Sequence, residues 1–150
     1  MNARSPADGR RRLSRPSGDP PPTWMTLPGG VPYETAPLAA EIAERFFAEH
    51  PDDLARYEDP GTARAWCEHD NRYLLSWAAM DACGAASVVE QVSWLARVLE
   101  ARGYPLAHLV DDLLIAADRV EARVGPPGAD VAAALRRAGE HVGGTPTFLA

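Results

Sequence analysis

The residues best equipped for chemistry cluster between positions 66 and 81. Trp66, Tyr73, Trp77 and Met80 recur at helical spacing and fall within about 60° of one another at ~100° per residue. His69 and Asp70 share that side of the helix. An aromatic stripe that carries a carboxylate and an imidazole reads as a ligand pocket, with Trp66, Tyr73 and Trp77 as walls and Asp70 and His69 as the polar groups. The competing reading is a core stripe in which Asp70 is buried and paired with an indole, a hydroxyl or an Arg, because an unpaired buried carboxylate is costly. General acid–base chemistry at Asp70 and His69 is a further option, although two adjacent titratable groups do not define a mechanism.

Other chemistry finds less support. His108, Asp111 and Asp112 have the i, i+3, i+4 spacing of a divalent-metal site, but the same spacing describes a solvated polar face, which is the expectation here. The residues three before each His are Phe47, Trp66, Pro105 and Ala138, so the Glu-x-x-His motif of di-iron bundles is absent. Cys67-Glu68-His69 lacks a second half with zinc spacing. Cys67 and Cys83 stand sixteen residues apart on one expected helix and cannot bond while it is intact. The chain also lacks a nucleophile elbow, a phosphate-cradling glycine loop and a dinucleotide fingerprint. No catalytic residue and no metal ligand is assigned.

The elements that must position these residues read as helices. Hydrophobic spacing and punctuation place them over 37–49, 52–58, 62–83, 87–102, 104–124 and 130–142. Asp59-Pro60-Gly61 reads as a turn with Thr62 as the next cap, and Ser87 with Glu90 has capping-box spacing. No stretch has a convincing period of two, so strands are not expected. Short connections between the three longest helices force antiparallel neighbours, giving an all-α bundle of five to six helices over 36–143. In the 104–124 helix, Leu106, Val110, Leu113, Ala117, Val120 and Val124 share the core stripe, which leaves Ile115 on the polar side. Trp94 likewise sits off the Val88–Val92–Leu95–Leu99 stripe of its helix. Trp94 and Ile115 are therefore the candidate interface residues, Trp being over-represented in such contacts.

Composition sets outer bounds. The chain has 150 residues, 46% of them hydrophobic, enough for one domain with a real core. All 15 basic residues are Arg, against 21 acidic ones, for a net charge of −6. That balance argues against nucleic-acid binding, which needs basic charge to displace counterions. No apolar run approaches the ~18 residues of a membrane span, so no membrane role and a cytoplasmic location are expected. Residues 1–35 are rich in Pro, Gly and Arg and read as a disordered tail, with Met25 an alternative start; 144–150 read as a short flexible end. Before Tyr33 the chain has five Arg and two Asp; from Tyr33 onward it has ten Arg and nineteen acidic residues, a charge of −9. Arg10-Arg11-Arg12-Leu13-Ser14 is not a twin-arginine signal, since no apolar stretch follows; a phosphorylation site at Ser14 or a basic arm on an acidic surface are its sharper readings.

The run His50-Pro51, then Arg72-Tyr73-Leu74, then Trp94 followed by Val98-Leu99-Glu100-Ala101-Arg102-Gly103 resembles small helical modules of bacterial sensory and regulatory proteins. Some of these stand beside cobalamin-binding domains, and others are globin-like sensors. The resemblance covers about half the chain and implies a non-catalytic sensing or docking module, globin-like in one variant. The expectation is a regulatory module that acts through a protein partner or as a homodimer and takes a small apolar ligand. The alternative is a tetrapyrrole-binding protein (haem, bilin or cobalamin) with His69 as the ligand.

Overall fold

The computed structural model describes residues 23–149 together with Pro16. The tail expected before residue 23 lies, apart from Pro16, outside the described residues. The described chain opens on an antiparallel hairpin, β1 (Trp24–Leu27) with β2 (Val31–Glu34), in register from Trp24↔Glu34 to Leu27↔Val31. The expectations of no strands and of disorder up to residue 35 are therefore corrected for residues 24–34. Met25, Leu27, Val31 and Tyr33 pack on the core, while Trp24, Thr26, Pro32 and Glu34 face outward. Each strand has only four residues, and an apolar Trp and a Pro on the outward face hide the period of two. Gly29 and Gly30 close the hairpin at φ of +89° and +80°, which glycine adopts without steric cost. Tyr33 is fully buried, and its hydroxyl donates to the Leu75 carbonyl at 3.2 Å, tying the hairpin to the bundle.

The rest is helical, as expected. α1 (Thr35–Glu49) is followed by a 3-10 helix (Pro51–Arg56), then α2 (Pro60–Ala82), α3 (Val88–Ala101), α4 (Leu106–Val124), a 3-10 turn (Pro126–Gly128) and α5 (Ala129–Gly143). α2 starts two residues earlier than the sequence suggests. Asp59, not Thr62, is the cap: its carboxylate accepts from the Thr62 amide at 2.8 Å and the Thr62 hydroxyl at 3.0 Å, with Pro60 in the first turn. Ser87 caps α3 as its spacing suggests, accepting from the Glu90 amide. Asp81 near the end of α2 reinforces that start by accepting from the Val88 amide at 3.0 Å, and it also pairs with Arg137 of α5. No helix among the described residues is long and apolar enough to cross a membrane.

α4 is the central element, packed against both α1 and α5. Its contact with α5 is the closest between helices because Ala116, Ala117, Ala132, Ala134, Ala138 and Gly139 let the backbones approach. Two covered faces overturn one expectation: Ile115 is buried at 4% exposure and is no interface candidate, whereas Leu114 is the exposed residue at 41%. The last described residues, expected as a flexible end, lie along α3, where Glu100 accepts from the Phe148 amide and the Thr147 hydroxyl.

If the hairpin is integral to the core, Leu27→Ala should cost roughly 2–5 kcal/mol, as buried leucine truncations do. Tyr33→Phe should cost about 1 kcal/mol, the worth of one buried hydrogen bond. Urea unfolding of both variants checks this; unchanged midpoints would mean the hairpin contributes nothing.

Candidate functional site

The rotation of α2 decides where its aromatic stripe points. Ala63, Asn71, Leu74, Leu75 and Ala78 are buried and form its core face. The Trp66–Trp77 stripe lies about 120° round the helix from that face. It is neither core nor fully exposed: Trp66, His69, Asp70, Tyr73 and Trp77 are all partly buried. Here α2 and its antiparallel neighbour α3 stand apart, separated by bulky rings. The result is an open groove of about 450 Å³, lined on the α2 side by those five residues and on the α3 side by Trp94, Leu95, Val98, Leu99 and Arg102.

All five residues proposed as a ligand site thus share one groove. Trp94, proposed separately as an interface anchor and 59% exposed, belongs to it too. The rings form a ladder along α2. Trp66 and His69 meet edge-on at 5.3 Å, His69 and Tyr73 edge-on at 5.1 Å, and Tyr73 and Trp77 tilted at 5.8 Å. His69 Nδ1 lies 3.2 Å from Asp70 Oδ1, and both side chains remain about a quarter open, at 24% and 27%. Asp70 is thus not fully buried: it is a quarter-open group on the groove, paired with His69. Leu95, Val98, Leu99 and Arg102 were missed by sequence reasoning, although Val98 and Arg102 follow Trp94 at i+4 and i+8 on one helix face.

A second, enclosed polar cluster lies beneath the groove. Asn71 donates through Nδ2 to Asp112 Oδ1 at 2.9 Å and to the Cys67 carbonyl at 3.0 Å. Asp112 is only 6% exposed. Burial pushes its carboxyl up to about 7, with the Asp70 charge adding to the rise and the Asn71 donor opposing it. A cavity of about 40 Å³ adjoins the cluster, bordered by Asp53, Tyr57, Asp70 and Tyr104, with room for ordered water. Burial raises the phenols of Tyr57 and Tyr104 and the Cys67 thiol well above their ordinary ranges, so Cys67 is no thiolate nucleophile. The burial of Asp112 was not expected: with His108 four residues before it, the helical period put it on the polar side of α4.

The possible metal triad is dispersed. His108 Nδ1 lies 2.8 Å from Asp53 Oδ2, Asp111 lies 2.9 Å from His50 Nε2, and Asp112 turns inward to Asn71. The His50 and His108 rings stack at 4.1 Å, clamping the 3-10 helix onto the start of α4. Among the described residues, no group of three or more His, Cys, Asp or Glu has metal-holding geometry. The chain matches no protein-family model, no curated protein and no solved structure.

The Asp112 carboxyl yields a pH signature. Between its ordinary 3.8 and about 7 the folded protein keeps a proton that the unfolded chain releases, so this group makes stability fall as pH rises through that window. Above it the penalty is level, at roughly 4–5 kcal/mol given ~1.4 kcal/mol per pKa unit. Asp112→Asn keeps an acceptor for Asn71 and removes the charge. Its urea midpoint should exceed that of the wild type at pH 8 and converge with it near pH 4; equal midpoints at pH 8 would refute the assignment.

Proposed function

We propose that the protein is a non-enzymatic regulatory or sensory module whose recognition surface is the groove between α2 and α3. The observation that carries this reading is the convergence of Trp66, Tyr73, Trp77 and Trp94 on one open concavity with Asp70 and His69 at its base. About 450 Å³ lies within the ordinary range for ligand sites. Half-exposed Trp and Tyr supply large contact area at small entropic cost, which is why such residues dominate binding hot spots. The resemblance of the 46–124 stretch to helical sensory modules points the same way. Acid–base catalysis gains no support, because a His69–Asp70 pair alone defines no reaction.

The tetrapyrrole reading stands as the alternative: with His69 Nδ1 held 3.2 Å from Asp70 Oδ1, Nε2 is the ring nitrogen that would ligate a macrocycle's metal. Native mass spectrometry with an absorption scan, on protein purified from its own host, tests both binding readings. The expected result is bound mass without visible colour, lost in Trp77→Ala and in Trp94→Ala, with melting nearly unchanged in the exposed Trp94→Ala variant. Asp70→Ala should likewise cost under about 1 kcal/mol of stability, as expected for a partly exposed pair. Visible absorption that bleaches in His69→Ala would establish the tetrapyrrole reading instead. Bound mass that persists in both Trp variants would place the site elsewhere.

A further inference from the structure

The buried pair beneath the groove leaves two demands unmet. Asp112 is 6% exposed, and its hydrogen-bond partners among the described residues are neutral: the Asn71 amide at 2.9 Å and the Cys67 thiol at 4.0 Å. The other carboxylates on the adjoining cavity have basic partners of their own. Arg56 and His108 lie 3.1 and 2.8 Å from Asp53, and His69 lies 3.2 Å from Asp70. Asn71 carries the second demand: it is 1% exposed, and its Oδ1 is buried without a hydrogen-bond partner. A buried acceptor left in that state bears its full desolvation cost.

Both residues line the cavity of about 40 Å³, together with Asp53, Tyr57, Asp70 and Tyr104. Its lining includes three carboxylates and no Arg or His. The volume suits roughly two or three water-sized groups. Asn71 Oδ1 shares its carbon with the Nδ2 that bonds Asp112. It therefore lies within about 5 Å of Asp112 Oδ1, a gap that one donor making two bonds of ~2.9 Å spans. Water in that place satisfies the amide oxygen but leaves the carboxylate charge unbalanced. Hard metal cations ask for about six or more oxygens, and among the described residues no group of three or more His, Cys, Asp or Glu has metal-holding geometry. An ammonium group answers both demands, being compact, positively charged and a donor through every N–H.

We propose that this cavity is a binding site for a primary ammonium group, which pairs with the Asp112 carboxylate and donates to Asn71 Oδ1. The site does not depend on the groove being a recognition surface. Its occupant is free ammonium or the head of a primary amine. Asp70, Leu95 and Leu99 line both the cavity and the groove, so the body of such an amine would extend past them toward the rings. Occupancy exchanges a cation for a proton: as the ammonium enters, protonated Asp112 releases its proton to solvent, and the charge in the cavity is unchanged. The titratable groups on the same cavity are Asp53 and Tyr57 at the 3-10 helix, Cys67 and Asp70 of α2, and Tyr104 before α4. The two phenols and the thiol stay neutral, while α1 and α3 contribute only Phe46, Phe47, Leu95 and Leu99.

Calorimetric titration of the full chain with ammonium, methylammonium and phenethylammonium chlorides tests the site, with potassium chloride as the control at equal ionic strength. Saturable binding is expected, about tenfold tighter at pH 8 than at pH 6, because the Asp112 carboxyl titrates at about 7. Near pH 7 about half a proton should be released per cation bound, read on the unaltered chain from buffers of different ionisation enthalpy. Asp112→Asn, which keeps the Asn71 contact and removes the charge, should weaken binding at least tenfold. Ammonium binding as tightly as either amine identifies the free ion as occupant. Tighter phenethylammonium binding, with that advantage lost in Trp94→Ala, identifies an amine whose body lies in the groove. Absence of saturable binding, potassium binding equal to that of the ammonium species, an affinity independent of pH, or full binding in Asp112→Asn overturns the proposal and leaves water in the cavity.

Discussion

The hydrogen bond from Asn71 to Asp112 is the contact on which the arrangement of this protein depends. It joins two long helices through a buried polar pair, at 2.9 Å, beside a small cavity with room for ordered water. Asn71 shares the inward face of α2 with the buried Ala63, Leu74, Leu75 and Ala78, and the bond and that apolar face together set the rotation of the helix. With Asn71 turned inward, the stripe through Trp66, Tyr73 and Trp77 must emerge on the flank, facing α3. Burial, which that bond offsets only in part, leaves the Asp112 carboxyl titrating near neutrality in the core, so stability also depends on pH.

Side-chain size does the remaining work. α4 and α5 are lined by Ala and Gly where they meet and pack closely, which makes that pair the rigid side of the bundle. Across the α2–α3 seam the facing residues are indoles and a phenol, which hold the helices apart and leave the concavity between them. The stacked His50 and His108 rings, each with its own carboxylate, pin the 3-10 helix to α4 and close the bundle on the side of the small polar cavity. The groove-lining face and the core face of α2 are thus separate, divided by the row that contains Asp70.

Much of this was legible in the residues. Helix boundaries followed from His50-Pro51, Ser87, Gly103 and the Gly125–Gly128 run, because caps and breakers act locally. The Trp66–Trp77 stripe could be identified as a unit because helical period alone places its members together. What could not be read was whether that stripe faced the core or a groove. The residues that settle the matter, Asn71 and Asp112, stand 41 positions apart, and neither looks unusual alone. Ile115 was misplaced for a related reason: a single-stripe reading of α4 assumes one buried face, and only packing against both α1 and α5 covers a second.

The amino-acid sequence by itself determined an all-α architecture, its punctuation and the grouping of Trp66, His69, Asp70, Tyr73 and Trp77 on one helix face. These depend on interactions within a few residues: backbone hydrogen bonds, caps and side-chain period. Tertiary structure decided the four-residue strands around Gly29-Gly30, the burial of Ile115 and Asp112, and the meeting of Trp94 with the α2 stripe. Each of these depends on which surfaces of distant segments exclude water from one another, and that free energy is gained only when the whole bundle closes.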